Sequence, residues 1–291
     1  MLPKNVKWPK DAKMVLSLVV NYEEGGQYLL AEGDDHDETI GEFGSSPFAT
    51  PPNLPDVTNR EVYEYGVRIG FWRLIDLFDR MSVKATFLCT GRALERHPGT
   101  GRVITAKGHE PAGHGYTWRE QWKMSEEEER EFIRRCVSSV KEQTGERPYG
   151  WLCRQPPSLN TERLLMEEGF LYTSDAFADE IPYYADVGER KFLKVPYNLD
   201  VNDIKMWLPV GFRTPEEYFS YLKDTFDFLH EEGERQNGGG IMTVPLHMRI
   251  TGRPGRMMAL SKFIKYAGGF RDVWIARRLD IAKWWLEHYP A

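Results

Sequence analysis

The chain has 291 residues, 41% hydrophobic and 28% charged, a composition typical of a soluble globular protein with a sizeable core. Its formal net charge of -6 argues against a nucleic-acid partner, because phosphate binding requires a positive surface. No apolar run approaches the roughly 18 residues of a membrane span, and the lysine-rich start of the chain lacks the apolar stretch of a secretory signal.

Short apolar strand candidates alternate along the chain with longer amphipathic helix candidates. The first strand, residues 14–21, is apolar on both faces, as buried parallel strands are. A long helix over residues 61–81 follows it, a later helix begins at Ser125 with a capping box to Glu128, and a second capping box is expected from Thr214 to Glu217. The same patterns predict strands at 85–89, 110–113, 149–153, 171–174, 193–196, 240–246 and 272–276, and helices at 161–168, 215–232, 256–266 and 279–288.

This alternation predicts an α/β fold in a single domain over residues 1–291. About seven strands joined by helices indicate a parallel sheet with right-handed crossovers, either open or closed into a barrel. One segment departs from the alternation, because residues 22–60 are polar and show little periodicity. A loop of this length in a compact domain is expected to line a site or an interface.

Polar side chains follow most of the predicted strands, at the point where each strand ends. Because the carboxyl ends of parallel strands meet on one face of a barrel, we expect these side chains to converge there. They are Asn21, Glu23, Glu24, Thr90, His114, Arg154, Asp175 and His247. Surface loops are polar in any case, but so many coinciding positions favour an active site.

Two other kinds of site can be weighed from the same residues. The stretch from His109 to His114 resembles the H-E-x-x-H motif of zinc proteases, but it has one residue too many, and its proline and glycine oppose a helix. Cys153 and His247 could form a nucleophile pair, although a thiol at the end of an apolar strand more often packs in the core. The three cysteines have no metal-site spacing and indicate a reduced, cytoplasmic protein.

Four stretches of the sequence carry a resemblance to a known family. They are VVNYEEGG, GHEPAGHGYTW, CRQPPSLNT and PLHMRITGRPGR. They resemble the polysaccharide deacetylase superfamily, in which two aspartates after the first strand supply a base and a metal ligand, two histidines complete the metal site, and a later histidine is catalytic. The resemblance implies that this chain forms the distorted (β/α)7 barrel of that superfamily.

The chain departs from the superfamily pattern at the implied metal site. Asn21 stands in the place of the base aspartate, and Glu23 stands in the place of the metal aspartate. His114 matches the first metal histidine, but Trp118 occupies the place of the second, and an indole has no lone pair to offer a metal. We therefore expect no metal and no other cofactor.

These departures resemble one branch of the superfamily, the cofactor-independent allantoinases. NYEEGG, EYGVRIGFWR, VPYNLDVND and LHMRITGRPGR, among other stretches, carry this likeness from about Trp8 to Trp285. It implies hydrolysis of carbon–nitrogen bonds other than peptide bonds, by opening the ring of an allantoin-like hydantoin or imide. The stretch CRQPPSLN departs from the branch within the expected pocket, so allantoin itself is left open as the substrate.

Ring opening of this kind is compatible with the loss of a metal. A hydantoin or cyclic imide expels a nitrogen whose negative charge is delocalised, so a general base and oriented hydrogen-bond donors can suffice. We assign Glu23 or Glu24 as the base, and His114 and His247 to proton transfer or carbonyl polarisation.

Further residues are expected to bind the small-molecule substrate. Arg154 would hold the developing oxyanion, and Asp175 would orient Arg154. Tyr22 and Trp118 would line the pocket, and the full substrate-binding set is Asn21, Tyr22, Trp118 and Asp203.

Two rival functions stay open. A metal-dependent N-deacetylase of an acetylated sugar could use Glu23 and His114 with a third ligand, although Trp118 opposes this reading. A non-catalytic barrel could bind a carbohydrate or a protein, although the glutamate, histidine and arginine side chains at the strand ends oppose that reading.

Residues 22–60 carry apolar side chains among their acidic and proline residues. These are Tyr28, Leu29, Leu30, Phe43, Phe48 and Leu54, which make the segment too apolar for a solvated linker. We expect it to fold over the barrel mouth or against a neighbouring subunit, and so to exclude water from the site. The resemblance implies a homo-oligomer, either a tetramer or a dimer.

Overall fold

The computed structural model describes residues 6–42, 50–51, 53–208 and 210–291. Within these residues nine strands form one sheet in the order β6-β7-β5-β4-β3-β2-β1-β8, and β9 pairs with the start of β1. All pairs are parallel except the β6–β7 hairpin. The strands are β1 (Met14–Tyr22), β2 (Thr86–Cys89), β3 (Glu110–Gly113), β4 (Gly150–Trp151), β5 (Tyr172–Thr173), β6 (Tyr183–Val187), β7 (Arg190–Lys194), β8 (Ile241–His247) and β9 (Val273–Ile275).

The sheet curls until its two ends meet without forming a strand ladder. The backbone N–H of Ile241, at the start of β8, donates to the carbonyl of Glu180, 2.7 Å away. The backbone N–H of Thr243 donates to Oδ1 of Asn198, also at 2.7 Å. These contacts close the sheet into a distorted α/β barrel, which confirms the predicted fold class.

Helices surround this sheet. A π-helical turn at Gly66–Gly70 joins the first two into one continuous run, where the sequence predicts a single helix over 61–81. The helices are α1 (Val57–Tyr65), α2 (Phe71–Arg80), α3 (Gly91–Arg96), α4 (Thr100–Ala106), α5 (Glu126–Thr144), α6 (Thr161–Glu167), α7 (Pro215–Gln236), α8 (Met248–Thr251), α9 (Pro254–Ala267) and α10 (Arg278–His288). None of the described helices is long and apolar enough to cross a membrane.

The two predicted capping boxes have different outcomes. Ser125 and Glu128 form the reciprocal pair at the start of α5, which confirms the first. At the start of α7, Thr214 accepts from the backbone of Glu217. The Glu217 carboxylate, however, accepts from the backbone N–H of Arg213, 2.7 Å away, so only half of the second box forms.

Side chains of β1 alternate between two environments, as the pleat of a strand requires. Leu18, Val20 and Tyr22 lie in the main apolar core with residues of the surrounding helices. Val19 packs instead with apolar side chains from the neighbouring strand ends, namely Leu88, Ala112, Leu152 and Tyr197. Asn21 shares the face of Val19 and donates from Nδ2 to the Tyr197 hydroxyl at 3.2 Å. The inner face of β1 thus becomes polar at its carboxyl end.

Candidate active site

Three strands of the barrel end at one cluster of polar side chains. Glu23 directly follows β1, His114 directly follows β3, and His247 is the last residue of β8. Because these strands are parallel, their carboxyl ends open on the same face of the sheet. The structure brings all three side chains into contact at this face.

Glu23 is the centre of the cluster. Its Oε1 lies 3.2 Å from Nε2 of His114 and 3.5 Å from Nε2 of His247. Its Oε2 lies 2.7 Å from Nη2 of Arg249. With these neighbours the Glu23 side chain is only 1% exposed, so its charge is balanced by protein groups rather than by bulk water.

Both imidazoles are fixed through Nδ1, on the side of the ring away from Glu23. The Nδ1 of His114 lies 2.6 Å from the carbonyl oxygen of Leu152, which can only accept, so this nitrogen carries a proton. The Nδ1 of His247 lies 2.6 Å from Oδ1 of Asp203 and donates to it in the same way. Each ring therefore presents Nε2 to Glu23.

The surroundings shift the acid–base properties of Glu23 and His247 in opposite directions. Burial would raise the pKa of Glu23, but the charge of Arg249 and the contacts with both imidazoles hold that pKa well below its ordinary value. Burial would lower the pKa of His247, but the charges of Glu23 and Asp203 raise it to about 9. At neutral pH the site therefore pairs an ionised carboxylate with an imidazolium, the arrangement of a base beside an acid.

Glu24 is turned away from the two histidines. Its Oε1 accepts from the backbone N–H of Arg249 at 3.1 Å, and its Oε2 accepts from the backbone N–H of Glu23 at 3.1 Å. A Cβ at Gly66 would lie 2.5 Å from Oε1 of Glu24, so the glycine of the π-helical turn makes room for this carboxylate. Burial raises the pKa of Glu24 against the opposing charge of Arg249. Its contacts fit a structural role better than that of a base.

Arg249 is a site residue that the strand-end pattern did not identify. It lies two residues beyond His247, in α8, and is fully buried with its guanidinium 4.2 Å from the ring centre of Tyr63. Although Nη2 lies within ion-pair distance of Glu23, the two groups are not aligned for a hydrogen bond. Among the described residues, Nε and Nη2 of Arg249 have no hydrogen-bond partner. These two donors are therefore left unsatisfied in a buried position beside Glu23.

Arg154 stacks on Trp118. Its guanidinium carbon is 3.9 Å from the Trp118 ring centre, and its Nη1 lies 2.6 Å from Oε2 of Glu38. Its Nε is also 3.5 Å from Oε1 of Glu120. The expectation that Asp175 orients Arg154 is wrong, because Glu38 and Glu120 hold Arg154 instead.

Asp175 is occupied by its own neighbours. Its Oδ2 accepts from the backbone N–H of Cys153 and from the Thr173 hydroxyl, both at 3.0 Å. These partners fix the carboxylate beside the end of β4. Cys153 is itself buried, and burial raises the pKa of its thiol well above the ordinary value, which counts against the alternative of a Cys153 nucleophile.

Two of the expected substrate-binding residues face elsewhere. Tyr22 is the last residue of β1 and points into the helix-facing core, where its hydroxyl lies 2.9 Å from that of Thr100. Asp203 is fully buried behind His247, and its Oδ2 accepts from the His247 backbone and the Thr251 hydroxyl. Because side chains alternate along a strand, Tyr22 points to the face opposite to that of Asn21. Asp203 positions His247 and has no free surface for a substrate.

The described part of residues 22–60 contacts Arg154 and Glu120. Glu38 is 3% exposed and reaches Arg154, and Tyr28 donates to Glu120. Leu29 is buried, whereas Leu54 is 51% exposed. Phe43 and Phe48, on which the expected apolar character of this segment also rests, lie outside the described residues.

The residues at the site do not fit the divalent metal of the superfamily that the sequence resembles. Glu23 and His114 are present, but Trp118 offers no lone pair. The guanidinium of Arg249, 2.7 Å from Glu23 Oε2, already supplies the positive charge that a metal would bring. Among the described residues, the three-ligand group with metal-like spacing is His230, Glu234 and Asp272, and Asp272 lies beside Lys13 at the opposite end of β1.

Comparisons with known proteins agree with this fold. The family profile described as Polysaccharide deacetylase matches residues 62–167. A Schizosaccharomyces pombe protein assigned to the polysaccharide deacetylases is 34% identical over 304 residues, which cover 97% of this chain and 93% of that protein.

Two crystal structures superpose on nearly the whole chain. One is from Pseudomonas aeruginosa PAO1 and is assigned to the polysaccharide deacetylases; it is 41% identical, with a TM-score of 0.91, and covers 98% of this chain and 94% of that one. The other is the PuuE allantoinase, 39% identical with a TM-score of 0.91 over the same shares of the two chains.

Proposed function

The chain belongs to the polysaccharide deacetylase family and is a hydrolase of carbon–nitrogen bonds, and we propose that it opens the ring of a cyclic amide or ureide without a metal ion. The observation that carries this proposal is the ionised Glu23 carboxylate held between two imidazole Nε2 atoms and Arg249. A base and an acid at this distance suit the addition of water to a carbonyl followed by expulsion of nitrogen.

The similarity to the PuuE allantoinase supports a cyclic ureide as the substrate class. Allantoin is a hydantoin, and imides share its ring carbonyl flanked by nitrogen. We propose this class rather than allantoin itself, because the stretch CRQPPSLN departs from the allantoinase-like pattern within the expected pocket.

In the first step the Glu23 carboxylate takes a proton from water while the water oxygen bonds to the ring carbonyl carbon. The carbonyl oxygen becomes an oxyanion, and the unpartnered Nε–H and Nη2–H groups of Arg249 can donate to it. Donors of this kind, fixed in a buried site, stabilise the charge as it develops. The charge of Arg154 is balanced by Glu38 and Glu120, so we assign the oxyanion to Arg249.

In the second step the ring C–N bond breaks and its electron pair passes to nitrogen. The imidazolium of His247 donates its Nε2 proton to that nitrogen, and Glu23, 3.5 Å away, can return the proton taken from water. Asp203 keeps the His247 ring oriented and favours its return to the imidazolium form after the proton has been donated. His114, fixed on Leu152, holds Glu23 from the other side and can share the proton between them.

The leaving group explains why a metal is unnecessary in this scheme. An amide or ureide nitrogen delocalises negative charge as it departs, so the barrier is lower than for expulsion of a simple amine. Arg249 and the His247 imidazolium provide the polarisation that a metal supplies elsewhere. The proposal places the enzyme in the cytoplasm, where its three buried thiols would stay reduced.

The test is a screen of purified protein against allantoin, hydantoin, succinimide and N-acetylglucosamine, with Glu23→Gln and Glu24→Gln as a matched pair. We expect ring opening of at least one cyclic compound, and a fall in kcat of about 10²-fold or more for Glu23→Gln. Glu24→Gln should lower kcat less and mainly lower thermal stability, because Glu24 accepts from the backbone of Glu23 and Arg249 and makes only a longer contact, 3.3 Å, with the Arg249 guanidinium.

Three results would contradict the proposal or the role it gives to Glu23. Deacetylation of the sugar without any ring opening would assign the chain to the metal-dependent deacetylases. Sugar binding without turnover of any compound would make it a binding barrel. Equal losses of kcat in both glutamine variants would remove Glu23 from its assigned role.

A further inference from the structure

A cavity of about 530 Å³ lies beside the active site, and its described lining includes three arginines. Arg213, Arg253 and Arg256 contribute three positive charges, and Glu42 contributes one negative charge. Met206 and Phe212 form part of an apolar wall. The lining thus carries a net charge of two positive units, and beside these charges lies an apolar surface against which the apolar part of a ligand can pack.

One indole separates this cavity from the active site. The Nε1–H of Trp207 donates to Oε2 of Glu42 at 2.7 Å, and the Trp207 ring centre is 5.5 Å from the guanidinium carbon of Arg249. Binding in the cavity is therefore expected to change the fluorescence of Trp207.

Arg256 shows that the cavity already accommodates a carboxylate. It holds Glu42 through both Nη atoms, at 2.6 and 3.2 Å, in the forked geometry that arginine prefers. Arg213 is exposed, and the Arg253 guanidinium stacks on Tyr65 with its carbon 3.6 Å from the ring centre. Neither arginine has a carboxylate within 4.0 Å among the described residues. The residues that the structure leaves undescribed contain neither Asp nor Glu, so they supply no such partner.

The backbone reinforces the positive potential at this place. α7 and α9, 22 and 14 residues long, both begin at the cavity wall, at Pro215 and Pro254. The N-terminus of a helix carries a partial positive charge. Glu217 in the first turn of α7 is occupied by the backbone of Arg213, and Glu216 lies 3.6 Å from Lys262.

We propose that this cavity binds a small organic carboxylate, with Arg213 and Arg253 on the carboxylate and the apolar wall against its carbon skeleton. Its volume lies within the range of about 300–1,000 Å³ that is usual for small-molecule sites. An inorganic anion would leave the contacts with Met206 and Phe212 unused. This inference does not depend on the reaction that the enzyme catalyses.

The experiment is calorimetric titration of the full chain with benzoate, with benzamide as the uncharged analogue and inorganic phosphate as the second anion. We expect benzoate to bind, benzamide to bind much more weakly, and binding to change Trp207 fluorescence. Arg253→Gln and Arg213→Gln should each weaken benzoate binding roughly tenfold or more. Arg235→Gln, near the far end of α7, is the matched control and should leave the affinity unchanged.

Two variants keep the result specific to this cavity. Glu42→Gln frees Arg256 and should strengthen benzoate binding, an effect that general damage to the fold would not produce. Glu23→Gln should leave benzoate affinity unchanged, which separates this cavity from the active site. Equal affinities for benzoate and benzamide, tighter binding of phosphate, or weaker binding in Glu42→Gln would each overturn the proposal.

Discussion

Replacing Asp203 with asparagine tests whether His247 works as an acid. The pKa of His247 is raised to about 9 from an ordinary value of about 6.5. This difference favours the imidazolium by about 3 kcal/mol, and the charges of Glu23 and Asp203 both contribute to it. Removing one carboxylate charge at hydrogen-bond distance should lower the pKa by roughly 1–3 units. The change also alters the proton arrangement, because Asp203 Oδ2 already accepts from two donors. The asparagine oxygen would stay with those donors and turn its NH₂ group toward Nδ1.

The assay is the pH dependence of kcat/KM for ring opening, together with NMR titration of the His247 imidazole. Activity of the native enzyme should fall as the pH rises through about 9, because His247 then loses its acidic proton. In Asp203→Asn this alkaline limb should move down by roughly 1–3 units, so kcat/KM at pH 8 should fall by about 2-fold to 10²-fold.

Asp272→Asn is the matched control for this variant. Asp272 Oδ1 lies 3.1 Å from Nε2 of His230, and this pair lies away from the active site. It should leave the alkaline limb in place. An unchanged limb in Asp203→Asn, with an unchanged NMR titration of His247, would refute the reasoning that Asp203 sets the charge of this residue.

Further predictions concern the histidines, the stability of the fold, its assembly and residues 22–60. His114→Ala and His247→Ala should each lower kcat by about 10²-fold or more, and a loss confined to melting temperature would make these histidines structural. Because the folded-state pKa of His247 is raised, its stabilising effect is complete below about pH 6.5 and is lost through about pH 9, so the native melting temperature should fall over this interval and fall less in His247→Gln. The lowered pKa of Glu23 acts oppositely, and its contribution is lost only under acid conditions. Light scattering should give a dimer or tetramer, and a mass near 33.8 kDa would contradict this. Proteolytic cleavage within residues 22–60 should reduce activity, and full activity after cleavage would exclude a lid.

The parts of the fold that could be predicted from sequence are those with strong periodicity. The buried pattern of β1 and the amphipathic pattern of α5 are local signals, and both elements lie where they are predicted. The short helices α3 and α4 and the strand β6 were missed. α3 and α4 have six and seven residues, too few to show a helical period, and the residues of β6 are only partly buried.

The candidate site shows the same limit. The rule that strand ends converge locates Glu23, His114 and His247, because it depends only on parallel topology. Arg249 escapes that rule, since it lies beyond the strand in α8. Glu38 escapes it too, because it meets Arg154 across 116 residues of chain and no local pattern marks that contact. Tyr22 could have been excluded by strand alternation alone.

The most direct test of the account is ring opening by protein that has been dialysed against a strong chelator and shown by elemental analysis to hold no metal. Hydrolysis of hydantoin or a related cyclic substrate is measured by the appearance of the acyclic acid, before and after zinc is added back. We expect the same kcat in both samples, because Glu23, His247 and Arg249 supply the base, the acid and the positive charge. One stoichiometric metal ion, with activity lost on its removal and regained on its return, would contradict the metal-free mechanism.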